Sequence, residues 1–141
     1  MNSIDKYSEG FAENNRVKIF YRDYGPVNGD PILMVHGLGA QLVHWPPHLI
    51  NFLQSHNFRP ITYDNRDVGL SSRFLGTPSF VLDYIKYFLR LPIKSEYTID
   101  DMAEDGIQLL ETLNIEQAHI LGTSMGGMIA QIISAQYPKK V

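Results

Sequence analysis

The chain has 141 residues, 44% of them hydrophobic, and a formal net charge of −3 from 12 basic and 15 acidic side chains. That is one domain's worth of chain, long enough to bury a core without covalent staples. Cysteine is absent, which excludes disulfide scaffolds, thiolate zinc sites and cysteine nucleophiles. No run of like charge exceeds Lys139-Lys140, so the basic footprint of a nucleic-acid binder is missing. The first residues lack a signal-peptide stretch, and no apolar run approaches the roughly 20 residues of a membrane helix. A cytoplasmic protein without nucleic-acid or membrane partners is expected.

Turn signals and apolar runs alternate along the chain. Asn14-Asn15 separates Phe11-Ala12-Glu13 from Arg16–Asp23, where Val17, Ile19 and Tyr21 alternate with Lys18, Phe20 and Arg22. This patterning predicts an opening hairpin. Pro31–His36 and Arg59–Asp64 are short apolar runs of the kind that a parallel sheet buries on both faces. Between them, Pro46-Pro47 opens a helix with Leu49, Ile50, Phe52 and Leu53 on one stripe. A second helix is predicted around residue 81 to 90, where Val81, Leu82, Ile85, Phe88 and Leu89 share a face expected to pack on the sheet.

Thr98 caps a third helix with acidic residues in its first turn, and Asn114 is suited to end it in the left-handed conformation. Gln117–Thr123 reads as a buried strand and Met125–Gln136 as a helix that Pro138 stops. Strands alternating with helices predict an α/β fold, a mostly parallel sheet with helices on both faces.

The chemistry concentrates at three loops. Gly122-Thr123-Ser124-Met125-Gly126 is a G-x-S-x-G between a strand and an apolar helix, the context in which a tight turn lifts a serine hydroxyl out of the sheet. The helix that follows points backbone N–H groups at the space above it, where an oxyanion can be held. Alone, the motif is equally a phosphate-cradling or plain tight turn. His36-Gly37-Leu38-Gly39 follows the first central strand, its glycines allowing close approach and further N–H donors. Asp64-Asn65-Arg66-Asp67-Val68-Gly69-Leu70-Ser71 follows the next, with Arg66 between Asp64 and Asp67 suggesting a structural ion-pair cluster.

With these three motifs in this order, the chain resembles the α/β-hydrolase family from about Phe11 onward. The resemblance implies Ser124 as nucleophile, an oxyanion hole from the backbone N–H groups of Leu38 and Met125, and supporting roles for His36, Gly37, Gly39, Gly122, Gly126, Asp64 and Arg66. A serine at the elbow is unlike the aspartate of the epoxide-hydrolase and haloalkane-dehalogenase branches. It implies acyl transfer from an ester or related small-molecule substrate, with no metal or cofactor. The D-N-R-D-x-G-x-S loop looks most like bacterial methylesterase-type enzymes.

The histidines outside the loops carry no such pattern. His44 and His48 are four apart but lack the glutamate of a zinc helix, and His56 and His119 read as a helix-end and a strand residue. The family's triad runs Ser, then acid, then His, yet Met125–Val141 contains no Asp, Glu or His. The expectation is therefore the N-terminal portion of a single α/β-hydrolase domain, truncated after the elbow helix and nearly inactive alone. Its partner would be the missing C-terminal half or a second copy paired at an exposed sheet edge. The alternative is a non-catalytic remnant that binds a ligand or partner.

Overall fold

Alternating side chains fold Ser8–Glu13 (β1) back on Lys18–Asp23 (β2) as an antiparallel hairpin, with Phe11 opposite Phe20 and their ring centroids 5.3 Å apart. The computed structural model describes residues 7–13, 16–74, 85–86, 88–91 and 96–141. The chain then enters Asp30–Val35 (β3), a short 3-10 turn at Leu42–His44, and helix Pro47–Ser55 (α1), whose first residue is a proline that gives up no helical hydrogen bond. Phe58–Tyr63 (β4), Ile99–Thr112 (α2), His119–Gly122 (β5) and Met125–Gln136 (α3) follow.

The five strands lie in the order β1-β2-β4-β3-β5. β3 is parallel to both β4 and β5, whereas β2 runs antiparallel to β1 and β4. The sheet is therefore mixed, because the opening hairpin adds its antiparallel pair to a parallel centre. Successive side chains of β3 point to opposite faces. Leu33 and Val35 join Ala103, Leu110, Ile129 and Ile133 in a core under α2 and α3, while Ile32 and Met34 pack with Trp45, Ile50 and Leu53 under α1. Helices thus cover both faces, as the alternation of apolar runs predicted.

Two expectations change. The strand read as Gln117–Thr123 is His119–Gly122, and it is exposed to half-buried instead of buried, because among the described residues only β3 pairs with it. Of the helix expected near residue 81 to 90, Val81, Leu82 and Asp83 lie outside the described residues. Ile85, Phe88 and Leu89 are exposed, so the part described does not pack on the sheet.

Helix α2 starts where the sequence predicts. Thr98 accepts a hydrogen bond from the Asp101 N–H at 3.3 Å, and the Asp101 carboxylate accepts from the Thr98 N–H at 2.6 Å and from its hydroxyl at 2.8 Å. It ends at Leu113, and Asn114 adopts φ 55°. The bonds donated by Thr98 hold the Asp101 carboxyl below its ordinary value. A depressed carboxyl pKa contributes stability above the ordinary carboxylate range and loses it as pH falls through the lowered value. Thr98→Ala should therefore cost about 1 kcal/mol at neutral pH. In urea titrations run down the pH scale, the gap between variant and parent should narrow once Asp101 protonates.

Candidate active site

Ser124 stands between β5 and α3 with φ 54° and ψ −123°, a conformation that L residues rarely adopt. The turn exists because of its glycines. A Cβ on Gly122 would collide with the Gly126 carbonyl, and a Cβ on Gly126 would collide with the Val35 carbonyl at the end of β3. Hence α3 begins directly against the central strand, and the Thr123 N–H donates to the Val35 carbonyl at 3.0 Å. The Ser124 hydroxyl does not cap α3. It is exposed and hydrogen-bonds to no described His, Asp or Glu.

The loop after β3 faces this turn. A Cβ on Gly37 would come within 3.0 Å of the Ser124 Cβ and 3.5 Å of its Oγ, so a larger residue would press the two segments apart. Gly39 turns the loop with φ 72°. Among the described residues neither the Leu38 N–H nor the Met125 N–H meets an acceptor, and Met125 is the first residue of α3, where the helix dipole is positive. His36 stacks on Trp45 with ring centroids 4.1 Å apart, and its Nδ1 lies 3.5 Å from the Thr123 hydroxyl. Burial, then the neighbouring His44, hold the His36 imidazole below its ordinary value, so it is neutral at pH 7. It does not reach Ser124.

Asp64 is a bracket for the backbone. Its two oxygens accept from the Leu42 N–H at 2.8 Å and the Leu70 N–H at 3.0 Å, which ties the loop after β3 to the loop after β4. Gly69, at φ 53°, leaves the space that this carboxylate fills. The Ser71 hydroxyl donates to the Asp64 carbonyl at 2.6 Å and accepts from the Phe20 N–H at 2.9 Å.

Arg66 is indeed in a structural ion pair, but its partner is neither Asp64 nor Asp67. The guanidinium donates in a fork to Asp105 of α2, at 2.7 and 2.8 Å, and to the Asp101 carbonyl at 3.1 Å. Phe74 and Tyr97 lie 5.1 and 5.0 Å from it. Burial pushes the Asp105 carboxyl up, the Arg66 guanidinium opposing the shift. Sequence reasoning missed Asp105. The signal was present, since an acid between Met102 and Leu109 on the buried stripe of α2 requires a partner.

Beside the elbow opens a cavity of about 430 Å³ whose apolar wall is formed by Leu38, Val68, Ile99, Met102 and Met125, with Asn65, Arg66, Asp67 and Tyr97 also lining it. Burial and a hydrogen bond to Asp67 push the Tyr97 phenol up to about 12. Of the other histidines, His44 accepts from the Gln41 N–H, His56 ends α1, and His119 rests edge-on to Phe58, while His48 is exposed. No group of three or more potential metal ligands comes together among the described residues. No helix among them is long and apolar enough to cross a membrane.

Known proteins resemble the chain in sequence and fold. Over 125 residues the chain is 30% identical to BpoC of Mycobacterium tuberculosis, provisionally named a non-heme bromoperoxidase, covering 89% of this chain and 39% of that protein. The rhodomycin D methylesterase DauP of a Streptomyces species is 25% identical over 127 residues, which are 90% of this chain and 37% of the relative. Among solved structures, a carboxylesterase from Nitrososphaera gargenis superposes with a TM-score of 0.71 at 28% identity, over 96% of this chain and 42% of that one. The chain thus spans about two fifths of the length of the relatives it matches. The family model described as the alpha/beta hydrolase fold matches residues 30–141, and the chain belongs to that family.

Proposed function

We propose that Ser124 is the nucleophile of a carboxylic-ester hydrolase, within the N-terminal portion of a single α/β-hydrolase domain. The observation that carries this is the elbow itself: an uncapped hydroxyl held in a strained turn, with two unpartnered N–H groups beside it. The Ser124 Oγ attacks the ester carbonyl carbon as its proton passes to a base. The Leu38 and Met125 N–H groups hold the resulting oxyanion. Collapse expels the alcohol, which takes that proton, and water then repeats the attack on the acyl-serine. His36, Gly37, Gly39, Gly122, Gly126, Asp64 and Arg66 position the loops and take no part in bond making.

No described His, Asp or Glu hydrogen-bonds to Ser124, and this reading assigns the base and the acid that orients it to another part of the protein. The open side of β5 is where the strands carrying them, or a second copy of the chain, would pair. A serine set this way remains addressable if a base is supplied. The test is therefore an alkyl fluorophosphonate with added imidazole, followed by peptide mapping. The label should fall on Ser124, should quicken with imidazole, and should vanish in Ser124→Ala. Ser71 and Ser72 already hold backbone N–H groups, at 2.9 and 2.8 Å, and stand on no elbow. A label on another serine would overturn the assignment.

A further inference from the structure

We propose that the cavity beside Ser124 receives the acyl arm of the ester and selects an apolar chain of several carbons, a proposal that rests on Ser124 being the nucleophile. Both proposed oxyanion donors, Leu38 and Met125, line the cavity. An ester whose carbonyl oxygen sits between their N–H groups therefore has its carbonyl carbon at the cavity rim. The acyl substituent enters.

The polar lining has little to offer a charged acyl group. The Arg66 fork is occupied by Asp105 and the Asp101 carbonyl. Asp67 accepts from the Phe74 N–H at 2.8 Å and is bonded by Tyr97. The exception is Asn65. Its amide NH₂ donates to the His36 carbonyl at 3.1 Å, and its Oδ1 is a buried acceptor with no partner. A lone acceptor disfavours a second carboxylate, which would be buried without a donor. The Thr98 hydroxyl is spent on Asp101 in the helix cap, and what remains among the described lining residues is apolar carbon, including the adaptable thioethers of Met102 and Met125. A volume of about 430 Å³ lies within the range of small-molecule pockets. An acetyl group would leave most of it empty.

The test needs no turnover. With methyl-labelled methionines in the 141-residue chain, acetate, butyrate and octanoate, which are products of the proposed reaction, are titrated by NMR. Met102 and Met125 should shift, while buried Met34 in the opposite core and exposed Met128 serve as controls. Each methylene that enters should tighten binding roughly threefold to fourfold, so the four that octanoate adds should make it bind on the order of 100-fold more tightly than butyrate. Val68→Trp, which fills the cavity from a loop whose backbone bonds do not involve that side chain, should abolish the octanoate shifts. Succinate should give none.

Equal response to acetate and octanoate, or shifts spread to Met34 and Met128, would overturn the proposal. Removing the Ser124 hydroxyl in Ser124→Ala should leave the chain-length dependence in place, because the apolar lining that sets it lies beyond that residue. Failure of the phosphonate label with an intact octanoate response would remove the nucleophile and leave an apolar-acid pocket. A label on Ser124 without chain-length dependence would remove only the pocket's role.

Discussion

Given p-nitrophenyl butyrate and no added base, the 141-residue chain should hydrolyse it several orders of magnitude more slowly than the ~10 s⁻¹ median of enzymes. The reason is geometric. The Ser124 hydroxyl has no described His, Asp or Glu within hydrogen-bond reach, and His36, where the facing loop begins, contacts Thr123 instead. Removing a triad base from a serine protease costs on the order of 10⁶ in kcat, leaving what the oxyanion donors and binding supply. Ser124→Ala should accordingly change the slow rate little. A turnover near the enzyme median that disappears in Ser124→Ala would place a competent base within these residues, and refute the division of labour proposed above.

The second large effect concerns stability. Asp105→Ala should cost about 3–5 kcal/mol, because it strands the Arg66 guanidinium in a site where the side chains of the pair are 7% and 2% exposed. That is a large part of the 5–15 kcal/mol by which domains are stable, so the variant should stand close to unfolding at room temperature. The partner is not replaceable from within the loop, as Asp64 is fully engaged with Leu42 and Leu70. Arg66→Met combined with Asp105→Leu should cost much less than Asp105→Ala alone, because no uncompensated charge is left behind. Urea unfolding followed by the fluorescence of Trp45, the chain's single tryptophan and buried on the other face of the sheet, reads both. Equal costs for the single and double variants would show that packing, not charge, holds α2 to the loop.

What the sequence made legible follows physical lines. Period-2 patterning around Asn14-Asn15, the apolar runs of β3 and β4, the Thr98 box and the stop at Asn114 are local signals, and each has its counterpart in the fold. The elbow is equally local as a sequence signal, with glycines two residues either side of Ser124, although Gly126 and Gly37 make room for contacts between distant segments. Two things were not legible. Arg66 was assigned to the acids beside it in sequence, but its true partner lies 39 residues away on a helix whose rotation only the packed sheet defines. The exposure of β5 was hidden because an apolar run reports what a strand is suited to bury, not which neighbours the described chain supplies.

The backbone of Ser124 has an evolutionary consequence. Its φ and ψ are those at which glycine is comfortable and serine is strained, a penalty of order 1–3 kcal/mol. Substitution by glycine at this single position would leave the sheet, the cavity and the two N–H donors in place and would make the chain more robust, while discarding the hydroxyl proposed as nucleophile. Loss of that hydroxyl by substitution is therefore downhill in stability. On the proposed function, a serine at residue 124 offsets that strain through chemistry and not through stability.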